Sequence, residues 1–198
     1  ARTVADAAAL LAVLAGPDPN DAATTDAPPE PDYPASVVPD GLRGARIGVA
    51  RNFFGFHPGV EAVMERALDA ITEAGGVLVD PAPVPRADDY GDDELEVLLY
   101  EFRAGIGEYL ARRPSGPRTL EDLIAFNRRE SNREMPWFGQ ERFEQAVGKG
   151  PLQERRYRDA LARCRRFSRE EGLNAVLRRL RLDALVAPTG GPAWVTDM

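Results

Sequence analysis

Residues 46–79 read RIGVARNFFGFHPGVEAVMERALDAITEAGGVLV, and this stretch decides the fold class. Ile47 and Val49 sit in a short apolar run over 46–51, after a turn region marked by Gly41 and Gly44, which predicts a strand. From Pro58 to Ala74 the apolar residues Val60, Val63, Met64, Ala67, Leu68 and Ile71 recur at helical spacing. Gly75-Gly76 ends that helix, Val77-Leu78-Val79 predicts a second strand, and Pro81, Pro83 and Pro85 stop it. The strand–helix–strand unit over 46–80 is most simply a parallel crossover, so the chain reads as α/β.

Working outward, Thr3 and Asp6 form a capping-box pattern for an N-terminal helix within 1–16. Ala8, Leu11, Ala12 and Ala15 fall on one face of it, and Gly16-Pro17 stops it. Residues 17–45 read as a connection, with seven prolines between Pro17 and Pro39 and no apolar period. Beyond the second strand comes a helical excursion over 92–181. Its first helix carries Leu95, Leu98, Leu99, Phe102, Ile106, Tyr109 and Leu110 on one expected apolar face. Thr119 caps a shorter helix with Leu120, Leu123, Ile124 and Phe126. Pro136-Trp137-Phe138-Gly139 is an aromatic loop. A further helix holds Phe143 and Val147, and another holds Tyr157, Leu161, Cys164 and Phe167. Gly172 interrupts the latter before Leu173, Val176, Leu177 and Leu180 continue it. Residues 183–187 (DALVA) predict a third strand, closed by Pro188-Thr189-Gly190-Gly191-Pro192.

Composition narrows the function. The chain has 198 residues and a net charge of −7, which opposes a general nucleic-acid binder because such proteins neutralise phosphates with a basic surface. A single cysteine excludes an internal disulfide framework and fits a reducing compartment, here taken as the cytoplasm. No run approaches the roughly 20 apolar residues of a membrane span, and Asp6 interrupts any signal-peptide reading of residues 2–15. The absence of an initiating Met suggests a segment of a longer protein.

Chemistry-bearing residues are sparse. His57 is the only imidazole and precedes Pro58, which favours a helix-entry role over catalysis. A metal cluster needs several such ligands, so no metal or cofactor is implied. Cys164 stands among Arg163, Arg165 and Arg166. Those charges could make it reactive, but its spacing with Leu161 and Phe167 favours a helix-core thiol. Lys149, the only lysine, lies between two glycines and reads as part of a flexible loop. Ser36, Ser115, Ser131 and Ser168 are never adjacent. The arginines over 155–169 alternate with Glu154, Asp159, Glu170 and Glu171, as on a solvated, ion-paired face. Glu101 sits beside the core and reads as a hydrogen-bonding group more than a general acid or base.

Several blocks together resemble the amidase signature family of amide hydrolases. They are Ala1-Arg2-Thr3-Val4-Ala5-Asp6 with Ala15-Gly16-Pro17-Asp18, and Gly41-Leu42-Arg43-Gly44-Ala45-Arg46-Ile47-Gly48-Val49. Leu99-Tyr100-Glu101-Phe102, Leu123-Ile124-Ala125-Phe126-Asn127, Phe138-Gly139-Gln140-Glu141 and Leu182-Asp183-Ala184-Leu185-Val186-Ala187-Pro188-Thr189 follow in order. The Leu-Tyr-Glu-Phe and Phe-Gly-Gln-Glu blocks are more similar to the peptide-amidase and aryl-acylamidase-like branch than to the transamidosome branch. The resemblance implies a three-layer α/β/α fold with a mixed central sheet, here a partial sheet with a helical insertion. It also implies catalysis by a Ser nucleophile, a second Ser in a cis peptide and a Lys. None of these carries over to a residue of this chain. The expected matching region follows that catalytic segment, as one portion, residues 1–198, of a single domain.

On this reading the chain supplies scaffold and substrate-pocket wall and is inactive alone, while the parent cleaves a small-molecule amide. Thr189, Gly190 and Gly191 are expected in the wall, since ligands of open α/β sheets bind beyond the carboxyl ends of strands. Phe126, Trp137 and Phe138 either add aromatic surface to it or pack between helices. Self-association, or association with missing polypeptide, is expected of an incomplete sheet. The alternative is a non-catalytic α/β module that binds a partner or small ligand.

Overall fold

The computed structural model describes residues 1–21, 24–25 and 32–192. Three strands, β1 (Arg46–Val49), β2 (Val77–Val79) and β3 (Ala184–Val186), form a sheet in the order β2-β1-β3. Both pairings are parallel, with Gly48 opposite Val79 on one side and Leu185 on the other. The α/β expectation therefore holds, and these strands make a small parallel sheet; no antiparallel pair occurs among the described residues.

β1 is central, and its Ile47, Gly48 and Val49 are buried, as expected of a strand covered on both faces. Gly48 is required there by close approach. A Cβ at this position would overlap Leu182 Cδ1 and stand 2.9 Å from the Ala82 methyl. Helix α2 (Pro58–Glu73) crosses from β1 to β2 and packs on β2. His57 caps it, with Nδ1 accepting the Gly59 N–H at 3.1 Å, so the helix-entry reading stands.

The N-terminal helix α1 (Val4–Leu14) has the expected capping box between Thr3 and Asp6. It buries no residue, and it touches the short turn Pro34–Ser36. Leu10, Leu11 and Leu14 are exposed, whereas Ala8, Ala12 and Ala15 are half-buried, so its apolar side is only partly covered.

Helix α3 (Gly91–Ala111) organises the helical excursion. The sequence pattern predicts one apolar face, but the helix packs on two sides. Leu99 joins Leu120, Ile124 and Ala146 in a core, with Leu95, Phe102 and Ile106 against it; α4 (Leu120–Arg129) and α6 (Glu141–Val147) supply the partners. Tyr100 points to the other neighbour, α7 (Arg155–Arg165), and stacks near Tyr157 with ring centroids 5.6 Å apart. Leu98 and Tyr109 fall between these contacts and stay exposed. A short helix α5 (Ser131–Glu134), not anticipated from the pattern, follows α4.

After α7 the helix continues in π-helical form over Arg166–Leu173 and kinks at buried Gly172 before α8 (Asn174–Leu180). A Cβ on Gly172 would overlap the Phe167 carbonyl oxygen, so the chain comes too close there for any side chain. The interruption expected at Gly172 is thus a packing requirement.

Candidate functional site

Parallel strands place their carboxyl ends on one edge of the sheet, and chain segments with little regular structure gather there. β1 runs into Ala50, whose N–H donates to the Val186 carbonyl, and then into the turn Arg51–Phe53. β2 runs into Asp80, a cis Pro81 and buried Ala82, whose N–H donates to the Val49 carbonyl. Two consecutive side chains tie these exits together. Arg51 donates to Asp80 from Nε at 2.9 Å and to Glu65 of α2 from Nη1 at 2.6 Å. Its guanidinium also lies 4.8 Å over the Phe54 ring. Hydrogen bonding to Arg51 holds the Asp80 carboxyl below the usual range, and Asp80 with Glu65 raises the guanidinium further. Asn52 brackets one residue of the β2 exit: its Oδ1 accepts the Val84 N–H at 3.0 Å, and its Nδ2 donates to the Val84 carbonyl at 3.4 Å.

Thr189, Gly190 and Gly191 follow β3 on the same edge, and all three are exposed. A Cβ on Gly190 would meet nothing within 4 Å, and one on Gly191 would meet only the Phe56 ring, at 3.8 Å. The wall expected from these residues is therefore open to whatever lies beyond the sheet edge.

The aromatic residues lie elsewhere, on the helical excursion. Phe126 on α4 is half-buried, with the Arg129 guanidinium 5.3 Å over its ring. Trp137 and Phe138 are each 61% exposed in the loop before α6. Phe126 lines one shallow cavity with Pro117 and Ala125, and Phe138 another with Asn127 and Met135; neither cavity includes Thr189, Gly190 or Gly191. What fixes the loop is Gln140, which is buried. It accepts from Asn127 Nδ2 at 3.2 Å and donates to the Ile124 carbonyl at 3.3 Å. The only signal for Gln140 in the sequence is its place in the Phe-Gly-Gln-Glu block.

The sequence places Lys149 in a flexible loop, and the structure corrects this. Its ammonium lies 2.7 Å from Glu96 Oε2 and 5.6 Å from the centre of the Tyr100 ring. Arg156 also pairs with Glu96, at 2.6 Å. Nearby, Tyr100 donates to Glu154 at 2.5 Å and Tyr157 donates to Glu101 at 2.7 Å. Glu101 thus has the structural hydrogen bond expected of it. Each hydrogen-bonded carboxylate favours the neutral phenol, so both tyrosines titrate above their ordinary value; burial is the larger cause for Tyr157.

Cys164 is half-buried, and burial followed by nearby Asp93 and Glu94 pushes its thiol up despite Arg163. A reactive thiolate does not fit that setting. The arginine-rich face of α7 is ion-paired in part, Arg155 with Asp159, Arg156 with Glu96 and Arg163 with Asp93. Among the described residues no three or more His, Cys, Asp or Glu side chains gather as a metal site, and no helix is long and apolar enough to cross a membrane.

The Amidase family profile matches residues 1–197. The chain superposes on native peptide amidase from Stenotrophomonas maltophilia with a TM-score of 0.90 and 40% identity. That match covers 99% of this chain and 40% of that one. In sequence, a probable amidase of Arabidopsis thaliana is 29% identical over 93% of this chain and 36% of its own length. A glutamyl-tRNA(Gln) amidotransferase of Myxococcus xanthus is 51% identical over a shorter stretch, 40% of this chain and 16% of its own length. The chain thus spans about two-fifths or less of the length of these relatives.

Proposed function

The chain belongs to the amidase family, and on that premise we propose that it is the scaffold and substrate-pocket wall of an amide hydrolase whose catalytic groups lie on other polypeptide. The observation that carries this reading is the near-complete superposition on a peptide amidase that is itself covered for only 40% of its length. The residue inventory supports the division of labour. Serines are four and never adjacent, and the single lysine is held by Glu96. The parent would form an acyl-enzyme from a carboxamide and pass it to water. In this reading Thr189, Gly190 and Gly191 border the bound acyl group at the strand ends, with backbone amides free to approach it. Phe126, Trp137 and Phe138 form a second, aromatic border that needs the missing polypeptide to complete it. A single cysteine supports a reducing, cytoplasmic setting.

The test is turnover. Incubated with a small aryl amide, the 198-residue chain should release no amine. Release that survives repurification and vanishes with Cys164→Ala or His57→Ala would overturn the proposal.

A further inference from the structure

Between the β2 exit and the π-helical segment lies a cavity of about 160 Å³, walled by Phe53, Val84, Ala87, Tyr90, Phe167 and Leu173. It opens on the carboxyl edge of the sheet, because Phe53 and Val84 belong to the exits of β1 and β2. Three features show that its shape is held in place. Asn52 brackets Val84 from the β1 side. At the rim, Arg86 adopts a left-handed φ of 62°, which a non-glycine residue keeps only where its surroundings enforce it; such outliers concentrate at ligand clamps. Here Asp89 at 2.8 Å and Glu171 at 3.4 Å enforce it, with the Arg86 guanidinium 4.2 Å over the Phe167 ring. Arg166 covers the same ring at 4.5 Å and pairs with the same Glu171. Finally, the far wall is π-helical, a departure from α geometry frequent at functional sites. It is drawn against Pro85 at Gly172, where no side chain fits.

We propose that this cavity is a subsite for one aromatic or branched aliphatic side chain of an amide ligand, with the ligand's carbonyl oxygen facing the rim guanidiniums of Arg86 and Arg166. The volume sets the size class, since a cavity of about 150 Å³ accepts a benzene ring. The lining sets the chemistry, being aromatic and aliphatic apart from the hydroxyls of Tyr90 and Ser168. The half-exposed guanidiniums are the donors nearest its mouth. The subsite rests on the amide-ligand reading above and adds a side-chain preference to it.

The chain, labelled for NMR, is titrated with N-acetylphenylalaninamide and with N-acetylglycinamide. The phenylalanine compound should bind about tenfold tighter or better, the value of burying one ring. Shift changes should centre on Tyr90, Ser168 and Leu173. Ala87→Phe should fill the cavity and remove the preference; Leu173→Trp, at an exposed position on the opposite wall, carries the same test if the first variant fails to fold. Equal affinities, shifts centred elsewhere, or a preference that survives filling would overturn the subsite. Amide turnover by a longer polypeptide would leave the family reading standing in that case. A side-chain preference here together with no turnover there would keep the subsite and sink that reading instead.

Discussion

Lys149 Nζ lies 2.7 Å from Glu96 Oε2, and the two side chains are only 15% and 13% exposed. This contact pins the loop before α7 to the first turns of α3, across 53 residues of sequence. It also commits the only lysine of the chain to a structural task. Lys149→Met keeps the bulk of the side chain and leaves Glu96 with Arg156 as its remaining partner. The expected loss is about 2 kcal/mol, less than for a fully orphaned buried charge. Urea unfolding of both proteins measures it, and a difference below about 0.5 kcal/mol, the scale of an exposed pair, would contradict the structural role.

Stability should fall at both ends of the pH range. Asp80 and Asp93 are lowered chiefly by hydrogen bonds from Arg51 and Arg163. Groups with lowered folded values stabilise fully above the unfolded carboxylate value of about 3.9 and lose that contribution as pH falls through the folded value. Tyr100 and Tyr157 are raised, so their contribution is complete below the unfolded phenol value of about 10 and is lost as pH rises through the folded one. Thermal midpoints measured against pH should therefore show an acid limb flattened by Asp80→Asn and an alkaline limb flattened by Tyr157→Phe. Unchanged limbs in both variants would remove these groups from the account.

Cys164 should react slowly. Its thiol is raised by burial and by Asp93 and Glu94, which lowers the thiolate fraction at neutral pH. With an aromatic disulfide reagent the native chain should modify more slowly than free cysteine and reach the free rate only in denaturant. A native rate above that of free cysteine would mean that the surrounding arginines control the thiol after all.

Much of the fold is legible in the sequence because its signals are local. The capping boxes at Thr3 with Asp6 and at Thr119 with Asp122 lie at helix starts. Val77–Val79 forms the strand expected after the Gly-Gly stop. What escapes a sequence reading depends on partners far away in the chain. Lys149 looks mobile between Gly148 and Gly150 until Glu96 is beside it. The side of α3 that buries Tyr100 is set by Tyr157 on α7, which no period within α3 reports. The π-helical segment follows from the closeness of Gly172 to Phe167 and Pro85, again a matter of packing. The site is the least legible part. Topology alone puts Thr189, Gly190 and Gly191 at a strand end, and their exposure leaves the opposite side of any pocket to other polypeptide.

The most direct measurement compares Gly190→Val with Gly172→Ala in a longer polypeptide that carries this chain and hydrolyses an amide. A side chain at Gly190 meets nothing within 4 Å, so valine should leave the unfolding midpoint nearly unchanged. If the turn borders the acyl group, turnover should drop about tenfold or more, the effect of a small displacement of reacting groups. At Gly172 the new methyl would overlap the Phe167 carbonyl oxygen, so the midpoint should fall while the turnover of folded enzyme holds. Normal turnover in Gly190→Val would contradict the account, reducing the segment after β3 to a connector.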